Sequence, residues 1–126
     1  VFGWVIVGGQ GELTIPPEAR GEYGFQSGEA AVFVPGSRSS GGFGLSTPRL
    51  LAQMSDPLRV RILARARIGE DDQTVVPAAL GIRPGARLLA VRGSCRALGF
   101  VARGPIYDEA LLHPELEVLR PPNLLR

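Results

Sequence analysis

The pentapeptide GFQSG at residues 24–28 returns 57 residues later as GIRPG at residues 81–85. Sliding residues 24–48 onto residues 81–105 gives eight identities without a gap, among them Val34 with Val91 and Phe43 with Phe100. Most of the other identities are glycines, which allow positive φ angles and close backbone approach. A repeated set of backbone turns indicates one small unit that occurs twice.

The repeat continues upstream with a different shift. LTIP at residues 13–16 aligns with TVVP at residues 74–77 at an offset of 61, so the second copy lacks four residues between Pro77 and Gly81. We therefore divide the chain into a first repeat over 1–54, a linker over 55–58, a second repeat over 59–113 and a tail over 114–126. Units this small bury too little surface alone, so the two are expected to share a core.

Each copy has the same predicted order of elements: strand, short helix, strand, hairpin loop and strand. Apolar residues 4–7 and 13–15 favour strands, and Pro17 with Gly24 brackets a short helix. Residues 30–34 and 43–45 form a predicted hairpin around the Gly/Ser-rich loop 35–42. Thr47 is expected to cap a further helix, whose counterpart covers residues 105–112. The predicted class is mainly β with short helices.

The segment GELTIPPEAR at residues 11–20, followed by YGFQSGE at residues 23–29, resembles the signature of the AbrB/MazE/SpoVT family. QTVVPAALGIRPG at residues 73–85 repeats it with a shorter helix. The resemblance implies a swapped-hairpin, double-split β-barrel built here from two tandem repeats. That barrel normally closes across a homodimer, and in this chain it could close internally or between chains.

The resemblance also implies DNA binding and transcription regulation. Members of the family bind duplex DNA through basic residues near the first strand and on the turn after the proline, reading phosphates and groove shape. Arg20 is the basic residue that stands on that turn in the first copy. This chain departs from the pattern before the apolar runs, where Glu12 and Gln73 replace the usual basic residue.

An arginine stripe opens the second copy. Aliphatic residues fill the even positions of this segment, and arginines occupy four of the odd ones: Arg59, Arg61, Arg65 and Arg67. Because side chains alternate faces along a strand, an extended segment would present four guanidinium groups on one side over about 27 Å. The planar guanidinium can hold a phosphate bidentately. Residues 59–103 hold nine arginines against three acids, so the positive charge is concentrated there.

Two other interpretations of the stripe stay open. Its face could simply be solvated and keep strand edges apart, or its arginines could pair with acids such as the cluster at residues 70–72. The first hypothesis is accordingly a DNA-binding transcriptional regulator of the AbrB/SpoVT type. The alternative is an AbrB-like dimerisation or protein-binding module, antitoxin-like, without significant DNA binding.

Composition argues against other classes. The chain holds one histidine, His113, and one cysteine, Cys95, so no metal-ligand set, disulfide or catalytic constellation is expected. We predict no enzyme activity, no metal and no small-molecule cofactor. With no apolar run long enough to cross a bilayer and no targeting signal, a cytoplasmic location is expected. The expected partners are duplex DNA and a protein, which could be a second copy of the chain.

Overall fold

The computed structural model describes residues 1–54, 60–93 and 96–121 of the 126-residue chain. The strands are β1 Gly3–Ile6, β2 Glu12–Thr14, β3 Ala30–Pro35, β4 Phe43–Ser46, β5 Ala64–Arg67, β6 Gln73–Val75, β7 Arg87–Arg92, β8 Leu98–Val101 and β9 Val118–Leu119. The helices are α1 Pro17–Tyr23, α2 Pro48–Leu51 and α3 Pro105–Ala110, with a 3-10 turn at Ala78–Leu80.

Seven strands form one mixed sheet in the order β5-β3-β4-β8-β7-β1-β9, and β2 pairs with β6 in a separate ribbon. Among the described strands, all pairings are antiparallel except that of β1 with β9. The predicted mainly-β class with short helices is confirmed. Over the three described ranges, however, the strands do not close into a barrel. The linker at 55–58, Cys95 and residues 122–126 lie outside the described residues.

The first strand of each copy pairs with a strand of the other copy. β1 lies against β7 with Trp4 opposite Leu89, and β5 lies against β3 with Arg65 opposite Val32. Adding 61 to Trp4 gives Arg65, and subtracting 57 from Leu89 gives Val32. The two pairings therefore have the same register, related by the offsets of the repeat.

Two further pairings join equivalent residues. Phe43 lies opposite Phe100 where β4 meets β8, and their rings stack with centroids 5.2 Å apart. In the ribbon, Leu13 lies opposite Thr74. Because an antiparallel pair of equivalent residues straddles a two-fold axis, these positions mark an approximate axis between the copies.

The main core lies between the inner face of the sheet and the β2–β6 ribbon. Leu13 and Ile15 of the ribbon segment pack in one cluster with Phe33, Leu88 and Phe100 of the sheet. These side chains are fully buried, and each such burial stabilises the fold by about 1.5–3 kcal/mol. A smaller cluster lies on the outer face, where its members are Trp4, Leu89, Val101 and Ala110 of α3.

The local signals of the sequence act as predicted. α1 begins at Pro17 and ends before Gly24, whose φ of +70° gives the left-handed cap. Thr47 caps α2, since its hydroxyl accepts from the Leu50 N–H at 3.1 Å. α3 ends at Ala110 rather than at the predicted Leu112. These caps and turns set the chain directions that bring the two copies together.

Candidate nucleic-acid interface

Strand β5 forms one edge of the sheet and carries two arginines of the stripe. Arg65 and Arg67 are exposed, while Ala64 and Ala66 between them are half-buried against the main core. The expected alternation of a charged and an apolar face holds over this strand and into buried Ile68. Two guanidinium groups therefore project from one face, with their Cα atoms about 6.6 Å apart along the strand.

The prediction of one uninterrupted strand through the whole stripe is wrong. Ile62 is 38% exposed, whereas Leu63 packs against the main core and its N–H donates to the Phe33 carbonyl at 2.7 Å. The inward face thus shifts by one residue, and β5 begins only at Ala64. Arg61 is exposed but precedes the strand, and Arg59 lies outside the described residues.

Arg20 and Arg67, which the sequence places far apart, meet at one turn. Nη1 of Arg67 donates to the Gly28 carbonyl at 2.9 Å. Arg20 donates through Nη2 to the Ser27 hydroxyl at 3.4 Å and through Nε to the Phe25 carbonyl at 3.3 Å. The structure therefore brings α1 of the first copy and β5 of the second to the same surface.

Asp72 holds Arg20 at that surface by an ion pair. Its backbone adopts φ +57°, an unusual value for a residue other than glycine, and its carbonyl accepts from the Ile15 N–H at 2.7 Å. The equivalent residue in the first copy is Gly11, with φ +84° and a carbonyl that accepts from the Val76 N–H at 2.9 Å. Sequence reasoning missed this role of Asp72, although the offset of 61 pairs it with a glycine.

Further arginine–carboxylate ion pairs lie elsewhere in the described residues. Arg49 pairs with Glu29 at 2.9 Å and Arg92 pairs with Glu22 at 2.6 Å. The hydrogen bond from Arg92 lowers the pKa of Glu22, and the same contacts raise the pKa of both arginines.

Three of the arginines without such a pair lie on β5 and on the segment that leads into it, and we call them the arginine edge: Arg61, Arg65 and Arg67. Among the described residues, no carboxylate lies within ion-pair distance of any of the three. The acidic cluster at 70–72, which could have paired with the stripe, instead supplies Asp72 to Arg20. The positive charge of the arginine edge is therefore uncompensated in the part of the chain that the structure describes.

His113 occupies an exposed position beyond α3. Its Nδ1 lies 2.8 Å from Glu115 Oε1, and its Nε2 lies 3.5 Å from Glu109 Oε1. These carboxylates raise the pKa of the imidazole, with the hydrogen bond to Glu115 the larger cause. Within the described ranges, no cluster of three or more acidic, histidine or cysteine side chains could hold a metal ion. In those ranges no helix has the length and apolar character to cross a membrane.

Comparison of the chain with family models, with curated proteins and with solved structures found no match. The function of the chain is therefore inferred from its geometry and its charge.

Proposed function

We propose that this protein binds duplex DNA through the arginine edge and acts as a transcriptional regulator of the AbrB/SpoVT type. The observation that carries the proposal is the uncompensated charge of Arg61, Arg65 and Arg67 at one edge of the sheet. Arg20, Arg49 and Arg92 are paired with acids, whereas the three charges of the arginine edge are unpaired within the described ranges and follow closely on one another in the chain, where an extended anion could reach them.

The strand pairing supports an AbrB-like, swapped-hairpin arrangement within one chain. Each copy lends its first strand to the other, with equal registers in both exchanges. β2 and β6 also pair across the copies. In this proposal one chain supplies both units that would otherwise come from two subunits.

The expected mode of binding is contact with the phosphate backbone. Guanidinium groups form charge-assisted bidentate bonds with phosphate oxygens. Arg67 is oriented by the Gly28 carbonyl, which leaves its charge intact while fixing its direction. Phosphate contacts position a protein on a duplex but carry no sequence information directly, so we expect shape-dependent binding with weak base preference.

The test is a fluorescence titration of labelled duplex DNA between about 50 and about 200 mM salt. Replacing Arg65 and Arg67 by Gln should weaken binding about tenfold or more at the lower salt and reduce the slope of log affinity against log salt by about 1.8. Adding Arg59→Gln and Arg61→Gln should reduce it by about 3.6 in total.

The matched control is Arg87→Gln with Arg120→Gln, which removes two exposed charges from β7 and from the residue after β9, on the far side of the sheet from β5. This variant should keep the affinity and the salt slope of the parent. Equal losses in both double variants would mean that net charge, rather than this edge, governs binding. Absence of binding by the parent at low salt would refute the proposed function.

A second candidate is a protein-binding module without significant DNA affinity. Asp72 neutralises Arg20, the one basic residue on the turn that the family resemblance points to. α3 and the residues after it also expose apolar side chains, with Ile106 at 56% and Leu112 at 73%. Measurement of solution mass beside the DNA titration separates the two: self-association without DNA binding supports this candidate.

A further inference from the structure

We infer that a cleft beside Arg61 binds a small aromatic carboxylate. The cleft has a volume of about 300 Å³ and lies between the start of β4, the segment before β5 and the 3-10 turn. Its lining includes an aliphatic trio: Leu63, Leu80 and Ile82. This volume is at the lower end of the range for pockets that hold small molecules.

The other half of the molecule shows what fills the equivalent space. The offsets of the repeat match the aliphatic trio with an aromatic trio: Phe2, Tyr23 and Phe25. The match is structural as well, because the Phe2 N–H donates to Ala90 and the Leu63 N–H to Phe33, both at 2.7 Å.

Tyr23 is the residue that occupies the space on the α1 side. Its ring stacks on Phe25 with centroids 5.5 Å apart and an angle of 16° between the planes. Its hydroxyl donates to the Ala97 carbonyl at 3.0 Å, and burial raises its pKa. The second copy has lost four residues and replaces α1 by a 3-10 turn, where Leu80 stands in place of Tyr23. The space for one planar ring is thereby left open.

The polar end of the cleft lacks the hydrogen-bond acceptor that a phenol hydroxyl needs. Ser40 is equivalent to Ala97, but its carbonyl already accepts from the N–H groups of Ala102 and Arg103 at 2.8 and 2.9 Å. A carbonyl has two lone pairs, so no acceptor is left there for a hydroxyl. The cleft offers instead the exposed guanidinium of Arg61. A donor fork of this kind binds a carboxylate.

The chemical class follows from these two ends. A flat ring fits between the aliphatic side chains, as the Tyr23 ring lies against Phe25 on the other side, and a carboxylate meets Arg61. Benzoate is the simplest molecule with both features and serves as the probe. For so small a ligand we expect a dissociation constant on the order of a millimolar.

The experiment is an NMR titration of the full chain with benzoate, following the backbone amides of Gly41, Gly42, Phe43 and Leu80. These amides should shift saturably. Benzamide, which keeps the ring but loses the charge, should bind about tenfold more weakly. Acetate, which keeps the charge but loses the ring, should leave the cleft amides unshifted. Equal binding of benzoate and benzamide, or unsaturated shifts spread over the surface, would overturn the inference.

Two variants test the site directly. Leu80→Tyr restores the ring that the first copy provides, so it should abolish benzoate binding, while circular dichroism shows that the variant stays folded. Leu112→Tyr, the matched control, adds the same ring at an exposed position and should bind like the parent. Arg61→Gln changes only an exposed side chain, so folding is not at risk, and it should remove the preference for benzoate over benzamide. Parent-like binding by Leu80→Tyr or an unchanged preference in Arg61→Gln refutes the site.

Discussion

Strands β1 and β5 hold equivalent places in the sheet, yet their outer faces are opposite in character. β1 carries Trp4, which is 1% exposed and packs with Ala110 of α3, Tyr107 meeting its ring edge-on at 4.8 Å. β5 carries Arg65 at the equivalent position, exposed to solvent. The backbone pairing is thus the same in both copies, while the outer surfaces differ.

The free edges of these strands differ as well. β9 pairs along the outer side of β1, where Val118 lies opposite Trp4. In the ranges that the structure covers, β5 has β3 as its one neighbour and ends the sheet. The outer face of β1 is therefore buried and stabilises the fold, whereas the outer face of β5 exposes charged side chains to solvent. Charge on an edge strand also keeps it from pairing with other chains.

The largest effect on stability is expected from truncating the side chain that α3 covers on β1. Trp4→Ala should destabilise the fold by about 3–5 kcal/mol, because it leaves a cavity under α3. Arg65→Ala, at the equivalent position, should change stability by no more than about 0.5 kcal/mol. Urea unfolding of both variants measures the difference, and similar losses in the two would contradict the proposed division between a covered and a charged edge.

A smaller effect is expected at the equivalent turns that hold Gly11 and Asp72. Gly11→Ala should cost about 1–2 kcal/mol, since its φ of +84° is unfavourable for a residue with Cβ. The new Cβ would also lie 3.1 Å from the Val76 carbonyl oxygen. Thermal unfolding monitored by circular dichroism provides the measurement.

Asp72→Asn provides the comparison at the second turn. Asparagine tolerates the same left-handed backbone region as aspartate, so the substitution removes only the charge that holds Arg20. We expect the free energy of unfolding to fall by up to about 1 kcal/mol, because the ion pair is partly exposed. A loss larger than that of Gly11→Ala would mean that the ion pair, rather than backbone conformation, dominates at these turns.

The smallest effect concerns His113, beyond the helix that covers Trp4. Glu115 and Glu109 raise the pKa of His113 in the folded protein. Its contribution to stability is therefore fully present below the unfolded pKa of about 6.5 and is lost as pH rises through the raised folded value. NMR titration of the imidazole should show the raised pKa, and His113→Gln should flatten this part of the stability profile. An imidazole that titrates at or below the ordinary value would contradict the contact.

Much of the fold was predictable because its signals are local. Gly24 and Pro17 bound α1, Thr47 caps α2, and the loop at 35–42 joins β3 to β4 as predicted. Residue alternation was less reliable. The stripe looked continuous because Ile62 and Leu63 are both apolar, and the pattern cannot show which of the two turns inward. Leu63 does so because its backbone pairs with Phe33 at the same register as Phe2 with Ala90.

The candidate site shows the same limit. The sequence showed the arginines of the arginine edge. It did not show that Arg67 and Arg20 both donate to the turn at residues 27–28. The cleft beside Arg61 had one signal, the four residues missing from the second copy. That deletion indicated a shorter helix without showing which space it would leave open.

The amino-acid order of this chain was enough to establish a duplication, its two offsets, its turns and the concentration of arginine in the second copy. Each of these features can be read from short stretches of the chain, because turns depend on local backbone sterics and the charge of a segment depends only on its residues. Long-range pairing established the rest: which copy receives each first strand, which apolar residue at 62–63 is buried, and which acid meets Arg20. Such outcomes depend on contacts between residues far apart in the chain, whose free energies no local pattern contains.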